Sequence, residues 1–285
     1  MRNILLTISY DGTDFCGWQR QEKHGKESER TVQGEIEKVL HKIHKQKVDL
    51  HGSGRTDSGV HAFGQAANFF SPIDSIPAKN YIKALNTFLP QDIRILDAKE
   101  VEQDFDSRFS ATSRIYRYFI SFDEAISANN SRFVWHVRNY KPNLERLNNF
   151  CSCLKGEIDC ASFAASGDES VSTNRYIDNA EFFIQKDIFG NDLLVFQIEA
   201  NAFLWKMVRT LTGTLINLDK FDAPQDSMEK ILIAKDRTKG CVHIYISPEE
   251  NYKEAISFLT ERYENENIQH TIEHAVCKNE DWENN

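Results

Sequence analysis

Ile4–Tyr10 is apolar and β-prone and ends at Asp11-Gly12, which predicts a strand followed by a turn. Gly25–Arg30 is polar and charged, a loop. Val32, Ile36, Val39, Leu40 and Ile43 then recur at helical spacing, predicting an amphipathic helix of about four turns. Val48–His51 reads as a short strand, 65–70 as a second, 78–89 as a helix and 93–101 as a further strand. The order β-α-β-β-α-β is the ferredoxin-like pattern.

The same mode returns from Ser113 onward. A strand is predicted over 116–122, a helix over 143–154, and a hairpin over 180–185 and 193–199 about Gly190-Asn191. Phe203, Met207, Leu211 and Leu215 form one stripe, predicting a helix over 203–218. A second helix over 226–234 and a strand over 242–246 follow. Two α/β halves with antiparallel sheets make an α+β protein. The expected organisation is an N-terminal half over 1–110, a C-terminal half over 111–262, and an acidic, mobile tail over 263–285.

Composition narrows the class. The chain has 285 residues, 40% apolar and 27% charged, which suits a globular protein with a substantial core, and its 19 Phe supply large anchors. No apolar run reaches the roughly 20 residues of a membrane span. The N-terminus turns polar too soon for a signal peptide, so a cytoplasmic location is expected. Six cysteines at 16, 151, 153, 160, 241 and 277 give no paired C-x-x-C and no disulfide framework. Net charge is −9, which argues against general polyanion binding. From Glu261 to Asn285, however, seven acids oppose two bases, so over half of the net charge sits in the last 25 residues. A local basic groove is compatible with that distribution.

The most concentrated chemistry lies in HGSGRTDSGVHAFGQ, 51–65, between two predicted strands. Alone, Asp57-Ser58-Gly59 is an ordinary turn signal. Gly54 and Gly59 have the outer spacing of a phosphate loop, but Val60-His61 stands where Lys-Ser/Thr is required. His51, Asp57 and His61 match no standard metal spacing. What remains is a carboxylate on a glycine-rich loop, two residues after Arg55.

That loop has company. YDGTDFCGWQRQ (10–21), TVQGEIEKVL (31–40), GRTDSGVHAFGQ (54–65), ALNTFLPQDIRI (84–95), RFSATSRIYRYFI (108–120), NAFLWKMVRTLTGTL (201–215) and AKDRT (234–238) follow in order. Together they resemble the tRNA pseudouridine synthase A family. The resemblance implies the pseudouridine synthase fold: two ferredoxin-like halves sharing a mixed, mostly antiparallel central sheet, with the active cleft between them. It implies an isomerase that detaches uracil from ribose, rotates it and rejoins it through carbon in the anticodon stem-loop of tRNA, at positions 38–40. No cofactor and no metal are implied, and the partners are tRNA and a second copy of the chain.

The resemblance also assigns residues. Asp57 takes the catalytic role, since detaching the base leaves an electron-deficient sugar carbon that a carboxylate can attack or stabilise. Arg209 is the cation that keeps it ionised. Tyr116 stacks on the flipped base and helps remove the proton from the rejoined carbon. Arg55, Tyr116, His61, Gln65 and Arg114 are the substrate-binding residues. Read without the resemblance, Arg209 is a solvated helix face and Tyr116 a cross-strand packing residue.

Two departures matter. FDSRFS places Asp106 where the family usually has a histidine that touches RNA, which predicts a weaker phosphate contact. The segment DRTKGCVHIYI (236–246) is about five residues shorter than the family pattern, with Ile244 or Ile246 in place of a pocket leucine. The alternatives are a divergent or catalytically impaired relative that binds RNA or modifies another RNA uridine, an aspartate-dependent glycosidase acting on a small nucleoside, and a metal-dependent hydrolase.

Overall fold

The computed structural model describes residues 1–240 other than 24, 25 and 28. The predicted strand over 242–246, the shortened segment beyond Gly240 and the acidic tail lie outside the described residues. The chain divides into two compact units, one over Met1–Thr112 and a second beginning at Ser113.

The first unit contains β1 (Arg2–Tyr10), β2 (Glu22–Lys23), β3 (Lys26–Glu27), α1 (Val32–His44), β4 (His51–Gly52), β5 (Ala62–Ser71), α2 (Asn80–Asn86) and β6 (Ile93–Val101). Ile4, Leu6, Ile8 and Tyr10 are all buried, and the same core contains Val32, Ile36, Leu40, Tyr81 and Leu85 of the two helices. That alternation is the period-2 signature of a sheet with one face covered by helices. Helix α1 starts where Thr31 accepts from the Gly34 amide through its side chain, and it ends at Lys45, φ 57°. The sheet order is β4-β5-β1-β6, every neighbouring pair antiparallel. This is the strand arrangement expected of the β-α-β-β-α-β order.

Three local expectations shift. The strand expected over 48–51 is reduced to His51–Gly52, because the Leu50 amide donates to the buried Glu37 carboxylate (3.0 Å) rather than to a strand. Helix α2 is shorter than 78–89, since the Asn86 side chain turns to hold both backbone groups of Ile95 on β6 at 2.9 Å. Lys26–Glu27, expected in a loop, pairs with Glu22–Lys23 as a two-residue ribbon.

The second unit contains β7 (Arg114–Ser121), β8 (Trp135–His136), α3 (Leu144–Cys151), β9 (Gly156–Asp159), β10 (Asn174–Lys186), β11 (Asp192–Ala200), α4 (Met207–Lys220), α5 (Ser227–Ala234) and α6 (Arg237–Gly240). Its sheet runs β8-β7-β11-β10-β9, antiparallel except for the β7–β8 pair. Leu147 and Phe150 of α3, Leu211 and Leu215 of α4, and Phe196 and Ile198 of β11 belong to one buried cluster. The fold is α+β, with the strands among the described residues forming one main sheet in each unit and the β2–β3 ribbon as a separate pair in the first. The short strands β8 and β9 and the first six residues of β10 carry no strong local pattern and are fixed by pairing. Helix α4 begins at Met207 rather than Phe203: Lys206 sits at φ 58°, a left-handed value through which a helix cannot run back.

Candidate active site

In the first unit, the stretch 11–18 cradles the loop that carries Asp57. Phe15 and Trp18 are buried, at 1% and 2% exposure, and anchor this stretch in the core. From there the backbone makes bonds in two directions. The amides of Val32 and Gln33, at the start of α1, donate to the carbonyls of Gly17 (3.2 Å) and Trp18 (3.0 Å). The Trp18 amide donates to the Thr56 carbonyl (3.0 Å), and the Gly59 amide (3.3 Å) and Ser58 hydroxyl (3.1 Å) both donate to the Phe15 carbonyl. One segment thus satisfies the free amides at the helix start and fixes both sides of Asp57.

Glycine is required twice by this approach. A Cβ on Gly12 would stand 2.0 Å from the Val60 carbonyl oxygen, and one on Gly17 would stand 2.7 Å from that of Thr56. Gly17 also has φ +86°. Asp57 itself starts a turn, its carbonyl accepting from the Val60 amide at 3.2 Å, with Gly59 at φ 76° in the third position.

Side chains complete the frame. The Tyr10 hydroxyl, almost fully buried, lies 2.7 Å from Thr56 Oγ1 and donates to Gln65 Oε1 at 2.8 Å. Gln65 Nε2 donates to the Gly54 carbonyl at 2.8 Å. His61 Nδ1 accepts from the Gly12 amide at 3.1 Å, and the same nitrogen lies 3.1 Å from Asp11 Oδ1. Gln65 and His61 therefore hold the loop by bonds inside this unit. Arg55 is exposed and Asp57 half-buried. The first unit thus brings four of the expected site residues, Arg55, Asp57, His61 and Gln65, onto one loop and its outgoing strand.

In the second unit, Tyr116 stands on β7 opposite Ile198 of β11, and its ring meets Phe203 edge-on at 4.9 Å. Phe203 lies in the connection between β11 and α4, and Arg209, half-buried, is the third residue of α4. Arg114 Nη1 donates to the Asn201 carbonyl at 2.8 Å, at the start of that same connection. The backbone of Asn201 in turn donates to the Tyr176 carbonyl at 3.0 Å. Arg114 and Tyr116 therefore both support the peptide that leads into the Arg209 helix.

Residues assigned no role from sequence turn out to shape the loop: Gly12, Gly17, Trp18 and Tyr10. Their signal was present in YDGTDFCGW, but which partner each one meets emerges only once β1 and the loop lie side by side. Asp106 also receives an account: its Oδ1 accepts from the amides of Arg108 (2.8 Å) and Phe109 (3.0 Å), so this carboxylate closes its own turn.

A half-buried carboxylate on a loop clamped at several points can act as nucleophile or base at a bound sugar without reorganising. The chain matches the family model described as tRNA pseudouridine synthase over residues 6–110 and 151–258. It belongs to the tRNA pseudouridine synthase family, a class of isomerases. It is 54% identical over 239 residues to tRNA pseudouridine synthase A of Treponema denticola, covering 84% of this chain and 87% of that protein. It is 40% identical over 242 residues to the protein of that name from Brachyspira hyodysenteriae, covering 85% and 93%. With the one from Caldicellulosiruptor saccharolyticus it shares 42% over 243 residues, covering 84% and 93%.

Proposed function

We propose that this protein isomerises uridine to pseudouridine in the anticodon stem-loop of tRNA, with Asp57 as the catalytic carboxylate. The observation that carries this reading is the frame around Asp57: five contacts from 10–18 and 65 hold a GRTD loop in a chain of this family. Asp57 acts on the sugar as the base departs, Arg209 favours its ionised form, and Tyr116 stacks on the flipped base. Arg55, exposed near Asp57 on the loop, and Arg114 on β7 each bind the RNA substrate. His61 and Gln65 serve the substrate by fixing the loop.

The protein works as a homodimer in the cytoplasm, without a cofactor, and each tRNA touches both copies. Among the described residues no helix is long and apolar enough to cross a membrane.

The test is tritium release from C5-labelled uridine in a tRNA anticodon stem-loop. Wild-type protein should release tritium and Asp57→Ala should not. Absence of release by wild type, or full release by Asp57→Ala, would overturn the reading. Release from free uridine would instead favour a nucleoside glycosidase.

A further inference from the structure

Outside the Asp57 loop, the first unit spends unusual care on a turn that no role above explains. Residues 106–110 are closed four ways. Besides the two amides on Asp106 Oδ1, the Ser110 amide donates to the Asp106 carbonyl at 2.8 Å and the Asp106 amide to Ser110 Oγ at 3.2 Å. The turn is then bolted to the sheet through two buried asparagines. Asn68 Oδ1 accepts from the Ser107 amide at 2.9 Å, and Asn68 Nδ2 donates to Asn3 Oδ1 at 3.0 Å. Asn3 Nδ2 donates to the carbonyls of Glu102 and Phe105, both at 2.9 Å.

Asn3 and Asn68 are 0% and 1% exposed. By strand alternation Asn3 lies on the face of the sheet opposite Ile4, Leu6 and Ile8, hence away from α1 and α2. Two amides buried there add little net stability over apolar side chains, but they specify one conformation of the turn above them. That conformation presents Phe109 at 82% exposure, with the Arg108 guanidinium 5.6 Å from its ring centre. Single exposed apolar residues are common. An exposed aromatic ring on a hydrogen-bonded turn, with a guanidinium over it, is a different object, since both planes accept a nucleobase and the cation suits a phosphate.

We propose that Phe109 and Arg108 form a stacking platform for an unpaired base of the RNA substrate. This rests on the tRNA reading above. Strand β5 leaves the Asp57 loop at Ala62 and reaches Asn68 six residues later, roughly 20 Å along the strand. The platform therefore takes a nucleotide other than the one that reacts. Glu102 and Asp104 line an open depression beside the turn. Their charge disfavours phosphate on that side, which leaves the backbone of the bound nucleotide to Arg108. Asp106, spent on its own turn, shapes the platform and does not itself meet the RNA.

Phe109→Ala should raise KM for an anticodon stem-loop about tenfold, the scale of one lost base stack, with kcat within about twofold of wild type. Phe109→Tyr should restore KM, and Asn68→Leu should raise it without touching Phe109. Phe109→Trp supplies a readout over wild type, whose four Trp set the background: the emission it adds should be quenched by the stem-loop RNA and not by an equal concentration of free nucleotides. An unchanged KM in Phe109→Ala, or no quenching in Phe109→Trp, would overturn the platform. Failure of the tRNA reading looks different: wild type then releases no tritium, while quenching of Phe109→Trp still decides whether RNA meets this surface.

Discussion

Gly17 approaches Thr56 so closely that a Cβ on Gly17 would stand 2.7 Å from the Thr56 carbonyl oxygen. The two residues lie in separate stretches of the first unit, and their contact sets the height of the Asp57 loop over the core. Gly17→Ala must either strain a backbone at φ +86° or push the loop outward. We expect a stability loss of about 1–3 kcal/mol by denaturant melt, with a fall in tritium release. Gly54→Ala is the contrast within the same loop. A Cβ there meets nothing within 4 Å, so stability should stay within about 0.5 kcal/mol of wild type.

Tyr10→Phe removes one hydroxyl that serves both Thr56 and Gln65. The partners are left short of a buried bond at a cost of about 1–3 kcal/mol. Because Gln65 also holds the Gly54 carbonyl, the loop should loosen as a unit. Hydrogen exchange should show faster opening of the amides of 56–60, and turnover should fall more than the melting temperature explains.

Arg209→Ala should reduce turnover by a factor of about 10²–10³, the effect of removing one electrostatic partner from a reacting centre. The far-UV spectrum and melting profile should remain near wild type, since the side chain is only half-buried. Intact tritium release would remove Arg209 from the chemistry.

His44 gives the fold a pH dependence. Burial lowers its pKa, Nε2 lies 3.4 Å from the Tyr81 hydroxyl, and Nδ1 is buried with no hydrogen-bond partner. The neutral ring is the folded form. A depressed folded pKa contributes stability that is present above the unfolded value near 6.5 and is lost as pH falls through the folded value. The melting temperature should therefore decline from about pH 6.5 downward. In His44→Phe, which keeps a ring against Phe69 and Tyr81, that part of the slope should vanish.

The described thiols separate by environment. Burial pushes Cys153 up to about 11 and Cys160 up to about 12, and raises Cys151 further. Cys16 is exposed. Alkylation at pH 8 followed by peptide mapping should modify Cys16 first among these four, with the other three reacting only on unfolding.

Much of this was legible locally. Helix α1 could be read because its apolar stripe, its Thr31 cap and its boundaries are all determined by neighbours in sequence. Strand β6 falls on its expected bounds, 93–101, for the same reason. Where expectation shifted, a distant group had intervened: Glu37 took the Leu50 amide, Asn86 took Ile95, and the left-handed Lys206 delayed α4. None of these captures has a local periodicity.

The candidate site divides the same way. The sequence alone determined the family, the candidate carboxylate and its glycine-rich surroundings, because ordered motifs record chemistry directly. Only the tertiary structure decided what the glycines are for. Gly12 and Gly17 are absent side chains at points where two backbones cross, and Tyr10, Gln65 and His61 are the bonds that hold that crossing. It also decided that Asp106 closes a turn and that Asn3 and Asn68 fix it beneath Phe109. Such contacts join residues up to 102 positions apart, and a pattern confined to neighbours carries no trace of them.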